Sequence, residues 1–275
     1  MVQFSIFSLT VAASQYIIFV VNIMSIENYC KFNYDFLYFE EIDSTNTYAK
    51  DVAKNGACEG TVVIADKQTA GKGRLGRTFF SLLDGIYLSV VLRPKFTADN
   101  IHLITVAAAV ATANAIDEIC GVKTGIKWVN DIYLNGKKIC GILTESSINT
   151  QSLTAEYAIL GIGINLSLGN TQLPDDIKNI AGFIFEETQT LEIKERLCAK
   201  VLDNFFSIYK SLSEKEYITQ YRHRSILIGK DVKCICGDTE YTATVCDIDD
   251  HARLVVHTTD GKIKILNAGE VSLKL

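Results

Sequence analysis

The chain has 275 residues, 48% hydrophobic and 21% charged, enough apolar material for one large or two smaller packed domains, which excludes a disordered or low-complexity protein. A net charge of -5 excludes a general electrostatic pull toward nucleic acid. Eight cysteines without a framework spacing exclude a disulfide-stapled scaffold and point to reduced thiols in a cytoplasm.

No charged residue occurs from Val2 to Ile26. The run is long enough to span a bilayer, yet it has no basic n-region and contains Ser, Thr, Gln and Asn. Two readings stay open: a membrane anchor, or a translated leader ahead of a true start at Met24. The second is the expectation.

From Asn33 the pattern becomes orderly. Phe36 to Ile42 reads as a strand. Asp43-Ser44-Thr45-Asn46 is a run of capping residues, followed by Tyr48, Ala49, Val52 and Ala53 at helical spacing and a stop at Gly56. By itself this segment is a plain helix cap, although free N–H groups at such an end also bind anions or carbonyls. Thr61 to Ala65 is a buried strand leading into Gln68-Thr-Ala-Gly-Lys-Gly-Arg-Leu-Gly-Arg77. There Gly71, Gly73 and Gly76 alternate with Lys72, Arg74 and Arg77. Glycines allow close approach to a ligand and the cations suit an anion, so the stretch reads as a loop closing over something negative. It also matches G-x-G-x-x-G, but no helical repeat follows, as the dinucleotide fingerprint requires.

Gly85 to Leu92 is a further strand, and Ala98 to Cys120 a long helix, apolar almost all round, that should lie deep against a sheet. Asn135-Gly136 is a strong hairpin signal joining Ile132–Leu134 to Lys138–Leu143. Lys127 and Lys138 flank Asn130 and Asp131 on this unit. The ordinary readings are edge-strand lysines and an Asn-Asp turn. In the strand Tyr157 to Leu166, Gly161 and Gly163 face one side of the sheet. They either admit close backbone packing or leave a bare floor for a flat ligand. Residues 172–182 form a loop, Leu191 to Leu212 an amphipathic helix and Glu214 to Tyr221 a shorter one. After a seam at Arg222-His223-Arg224, four short strands (Asp231–Cys236, Glu240–Asp247, Arg253–Thr258, Lys262–Asn267) with turns at Gly237-Asp238 and Asp260-Gly261 suggest a small SH3-like barrel. Cys234-x-Cys236 with Cys246 and His251 fits no standard zinc spacing, so these are read as strand cysteines and no metal site is expected.

Five stretches occur in one order: Asp43-Ser-Thr-Asn46, Gln68-x-x-Gly-x-Gly-Arg-x-Gly-Arg77, Lys127-Trp-x-Asn-Asp131, Lys138-x-x-Gly-Ile-Leu143 and Gly161-x-Gly-Ile-Asn165. Together they resemble the biotin–protein ligases, monofunctional type. The resemblance implies an α+β fold similar to class II aminoacyl-tRNA synthetases, a mixed sheet with helices on one side, followed by an SH3-like barrel. The implied divisions are an extension at 1–32, a catalytic biotin/ATP domain at 33–224 and the barrel at 225–275.

The implied reaction uses ATP, biotin and Mg²⁺ to make biotinyl-5'-AMP, then transfers biotin to a lysine of a biotin carboxyl carrier domain, that of acetyl-CoA carboxylase or another carboxylase. A homodimer is open, and no nucleic acid or membrane partner is implied. By resemblance, Ser44, Thr45 and Gln68 contact the ureido head of biotin, Asn46 belongs to the same biotin-binding motif, and Gly71, Lys72, Gly73, Arg74, Gly141, Gly161 and Gly163 lie along biotin. Lys138 reaches the biotin carboxylate and the α-phosphate. Arg74, Arg77, Phe79, Lys127, Asn130, Asp131 and Asn165 belong to the nucleotide and transfer chemistry. Three positions depart from the common pattern: Lys72 stands for arginine, Val129 for proline, and Phe79 for a tryptophan that would stack on adenine. No helix-turn-helix pattern precedes Asp43, which argues against a repressor. A lipoate–protein ligase and a non-catalytic biotin-sensing regulator are the alternatives.

Overall fold

The computed structural model describes residues 24–149, 151–236, 239–267 and 270–273. The apolar run ahead of Met24, and with it the choice between anchor and leader, lies outside them, as does the Gly237-Asp238 turn.

Strand β1 (Asp35–Ile42) runs parallel to β2 (Thr61–Gln68). Every other pairing in this seven-stranded sheet is antiparallel: β2 with β3 (Asp84–Leu92), β3 with β7 (Ala155–Ser167), β7 with β6 (Lys137–Ile148), β6 with β5 (Asp131–Leu134), and β5 with β4 (Gly125–Lys127). The β5–β6 turn is Asn135-Gly136, with φ of 50° and 77°, the left-handed pair that a two-residue hairpin requires.

The central strands are apolar on both faces, so both must be covered. On β2, Val62 and Ile64 join the larger core and Val63 and Ala65 a second one. The larger core carries α3 (His102–Cys120), α4 (Leu191–Tyr209) and α5 (Glu216–His223). The opposite face carries α2 (Thr45–Lys54), whose Ala49 and Ala53 sit against Val63, Val91 and Ile159. Helices on one side is therefore right for α3, α4 and α5, while α2 closes the other face. Helix α3 meets the bilayer-spanning test of length and apolarity, but it is buried in the core.

Residues 24–32, placed in the extension by sequence, are part of this body. Helix α1 (Met24–Tyr29) lies on α4 and buries Ile26. Asp203 of α4 accepts from the Lys31 N–H (2.8 Å) and the Tyr34 hydroxyl (3.1 Å).

The C-terminal strands β8 (Asp231–Cys236), β9 (Thr239–Ile248), β10 (Leu254–Thr258), β11 (Ile263–Leu266) and β12 (Glu270–Leu273) form an antiparallel sheet in the order β11-β10-β9-β8-β12. The Arg222 seam ties it down, with ion pairs to Asp247 (3.1 Å) and Asp250 (2.9 Å). Trp128 donates its ring N–H to the Ala252 carbonyl (2.9 Å). Cys234 is buried in β8 and Cys246 exposed on β9. Among the described residues no group of three or more His, Cys, Asp or Glu is arranged to hold a metal.

Candidate active site

A cleft of about 380 Å³ opens over the α2 face of the large sheet. At one end the N-terminus of α2 meets the end of β2. The Thr45 N–H donates to Gln68 Oε1 (2.9 Å), and the Thr45 hydroxyl lies 3.1 Å from the same oxygen. Ser44 holds the N-cap position in extended conformation, but its side chain makes no capping bond. Its Oγ is buried without a protein partner while the residue lines the cleft. Burying an unpartnered hydroxyl costs about 1–3 kcal/mol, so Ser44 is set for a ligand rather than for the helix.

The glycine-rich stretch is a narrow hairpin. Gly73 N–H donates to Arg77 O (2.7 Å) and Phe79 N–H to Gly71 O (2.9 Å). A Cβ on Gly71 would stand 2.5 Å from the Phe79 carbonyl oxygen, so only glycine lets the two arms close. The tip is a single 3-10 turn, Arg74–Gly76, with positive φ at Leu75 and Gly76. No helix follows, so the stretch is not a dinucleotide fingerprint.

The hairpin lays its cations across the cleft toward the β5–β6 unit. Arg74 Nη1 donates to Asn130 Oδ1 (2.9 Å). Asn130 is itself clamped to β6: its Nδ2 donates to Ile142 O (2.8 Å) and its carbonyl accepts from Ile142 N–H (3.0 Å). Lys138 Nζ is 2.6 Å from Asp131 Oδ1, close as a charge pair but not aligned as a hydrogen bond. The Lys127 ammonium lies over the Tyr133 ring, 5.7 Å from its centre. With Lys72 and Arg77, five cations line the cleft against the one carboxylate of Asp131, a field that draws anions.

The floor is made by glycines that give up their space to other side chains. Gly141 and Gly163 are cross-strand partners, and the Phe79 ring lies where a Cβ on either would be, 2.9 Å and 2.6 Å away. A Cβ on Gly161 would overlap the Asn46 carboxamide. The floor is therefore not bare: Asn46 and Phe79 occupy it. Gly71 and Asn165 are the two expected residues that do not line the cleft. Asn165 donates from Nδ2 to Gly182 O (3.1 Å) and holds the loop carrying Ile180, which does line it.

Several contributors escaped the sequence reading. Ile235 and Val271 of the small sheet line the cleft, a meeting only the tertiary fold creates. Ser89, on β3, stands 2.8 Å from Thr45 Oγ1 and 2.6 Å from Asn46 Oδ1. Glu145, on β6, accepts from Asn46 Nδ2 (3.0 Å) and pairs with Lys50 (3.2 Å). Burial pushes the Glu145 carboxyl up, but the bonds from Asn46 and Lys50 outweigh it and hold it below its ordinary value. For Ser89 a signal existed: a hydroxyl inside the apolar strand Gly85–Leu92 must find a partner.

Comparison with known proteins bears on this geometry. Residues 38–165 match the Biotin/lipoate A/B protein ligase family and residues 227–274 the Biotin protein ligase C terminal domain. The chain is 32% identical over 241 residues to the "Bifunctional ligase/repressor BirA" of Bacillus subtilis, covering 84% of this chain and 72% of the relative. It is 29% identical over 237 residues to the "Biotin--[acetyl-CoA-carboxylase] ligase" of Mycobacterium tuberculosis, covering 83% and 85%. Among solved structures, the biotin protein ligase from Aquifex aeolicus in complex with biotin and ATP superposes with a TM-score of 0.72 at 28% identity, covering 87% of this chain and 98% of that one.

Proposed function

The chain belongs to the Biotin/lipoate A/B protein ligase family, and from that premise we propose that it is the ligase that activates biotin with ATP and transfers it to a lysine of a carboxylase's carrier domain. The observation that carries the assignment is the two-ended cleft. A neutral hydrogen-bonding pocket at Ser44, Thr45 and Gln68 faces a cationic end at Arg74, Lys127 and Lys138. Biotin has the matching form, a neutral ureido head and a carboxylate tail.

In the first step a biotin carboxylate oxygen bonds to the α-phosphorus of ATP, and the bond to the β-phosphate oxygen breaks to release pyrophosphate. Two anions must meet. Unit charges ~4 Å apart interact by ~4 kcal/mol at an effective dielectric of ~20, against ~1 kcal/mol in water. Cations fixed in a water-poor cleft therefore stabilise the crowded charge without having to reorganise. Lys138 bridges the carboxylate and the α-phosphate, exchanging its Asp131 partner for them. Arg74, braced by Asn130, holds the phosphate of the product. Lys127 and Arg77 serve the outer phosphates, and Phe79 offers an aromatic surface to adenine. Mg²⁺ would enter on the phosphates of ATP and reduce their charge.

In the second step a carrier lysine amine attacks the acyl carbon of the mixed anhydride, an amide forms and AMP leaves. The amine must arrive without its proton, and Asp131, released by Lys138, accepts it in this reading. The hairpin over the anhydride excludes water that would hydrolyse it. Residues 33–224 carry this chemistry and residues 225–275 contribute Ile235 and Val271 to the cleft; the site of action is the cytoplasm. Biotin-dependent exchange of labelled pyrophosphate into ATP tests the first step. Exchange that needs no biotin, or that lipoate supports equally, removes this reading.

A further inference from the structure

A chain of hydrogen bonds runs from the outer end of α2 to the head end of the cleft: Lys50, Glu145, Asn46, Ser89, Thr45, Gln68. Its direction is fixed at one end. An ionised carboxylate only accepts, so Glu145 obliges Asn46 to present its NH₂ group, at 3.0 Å. The Asn46 oxygen then faces Ser89, 2.6 Å away. Ser89 has a single proton to give, and it goes to that oxygen. Toward Thr45, at 2.8 Å, Ser89 is left as an acceptor. The Thr45 hydroxyl proton is thereby drawn inward, to Ser89 or to Gln68, and its lone pairs are left for the cleft.

We propose that Glu145 is a positioning residue for the ligand's head: with Lys50 beside it, its carboxylate sets the polarity of the Asn46–Ser89–Thr45 chain so that Thr45 presents an acceptor to a ligand N–H. The inference rests on reading the cleft as a biotin site. It identifies what is selected there, a cyclic head bearing N–H donors, and rejects a head whose ring carries sulfur alone. Glu145 itself does not line the cleft. It acts through Asn46, which is held flat against Gly161, where any Cβ would overlap the carboxamide. Were the carboxylate neutral, Asn46 would lose its directing partner. The amide could then turn its NH₂ to Ser89, Ser89 would donate to Thr45, and the lone pairs of Thr45 would be partly claimed from within.

The test is a double-mutant cycle. Glu145→Gln keeps shape and can donate as well as accept, so it removes the direction together with the Lys50 ion pair. It should raise KM for biotin by ~10-fold or more, the loss expected for one charge-directed hydrogen bond, and leave KM for ATP and kcat near those of the unmodified enzyme. Asn46→Asp alone places two carboxylates together and should be worse. In Glu145→Gln/Asn46→Asp, the glutamine NH₂ donates to one oxygen of the new carboxylate and Ser89 to the other. The original polarity returns, and most of the biotin KM should return with it. Unchanged biotin KM in Glu145→Gln overturns the proposal. So does failure of the double variant to recover, since the exchanged pair restores the same polarity toward Ser89. If the unmodified enzyme, run in parallel, makes no use of biotin, the reading of the cleft falls first and takes this inference with it.

Discussion

Asn46 fills the volume in which a side chain on residue 161 would have to sit, so the glycine on β7 and the asparagine on α2 are a matched pair. The Gly161→Ala variant should displace the carboxamide and break its bonds to Ser89 and Glu145. Overpacking of this kind costs typically ~1–3 kcal/mol. We expect a weaker biotin complex with ATP binding little changed. Gly163→Ala should show the reverse bias, because its Cβ would meet the Phe79 ring, 2.6 Å away. Isothermal titration of both variants with each substrate checks the pair; equal effects of the two on biotin would contradict it.

Lys138→Ala should cripple adenylate formation while the fold survives. Its ammonium pairs with Asp131 at 2.6 Å and is only partly buried, so the cost falls on chemistry. Losing a charged hydrogen bond is worth about 1.5–3 kcal/mol, roughly ten- to a hundred-and-fifty-fold in rate at ~1.4 kcal/mol per decade. Biotin-dependent pyrophosphate exchange and a melting curve measure the two separately. Near-normal exchange would remove Lys138 from the mechanism.

Arg74→Gly should leak. The variant loses the phosphate contact and also the bond to Asn130 that ties the hairpin to β6. Lys138 and Lys127 still support formation of the anhydride, so escape should rise more than formation falls. Freed adenylate acylates nearby amines. Biotin appearing on a bystander protein such as albumin, well above the level with unmodified enzyme, is the expected result. Asn130→Ala should leak in the same sense, more weakly, because Arg74 keeps its charge and loses its brace.

Glu145 should make stability depend on acidity. Burial raises its pKa, the bonds from Asn46 and Lys50 lower it, and the net folded value is below the ordinary 4.5. A depressed carboxylate pKa stabilises the folded state at pH above the unfolded value, and that gain is lost as pH falls through the folded one. In urea unfolding, the native enzyme should exceed Glu145→Gln in stability at pH 7, and the difference should shrink progressively below pH 4.5. A difference constant down to pH 2–3, roughly the span over which such carboxylates titrate, would contradict the ion-pair account.

How much of this was legible in sequence follows from how local each signal is. The Asn135-Gly136 turn could be read because left-handed φ is a property of the two residues themselves. The cations of the hairpin could be read because they alternate with glycines. Strand β4, at three residues, and strand β12 are too short to show a period. Helix α1 follows an apolar run that obscured its start. That Ser44 would fail to cap its own helix was not legible, since the sequence shows a capping residue either way. Glu145 carries no local signal of a role; Asn46 and Lys50 reach it because α2 packs against β7, the neighbour of its own strand β6. Ile235 and Val271 reach the cleft through the docking of the small sheet, which no local pattern records.

The central claim is that one cleft both activates biotin and hands it to a protein lysine. The most direct test is to incubate the protein with ATP, Mg²⁺, biotin and a biotin carboxyl carrier domain and to weigh the carrier by mass spectrometry. The account predicts a gain of a single biotinyl group, on one lysine, that requires both ATP and biotin. A carrier of unchanged mass, or one that gains a lipoyl group as readily when lipoate replaces biotin, would contradict it.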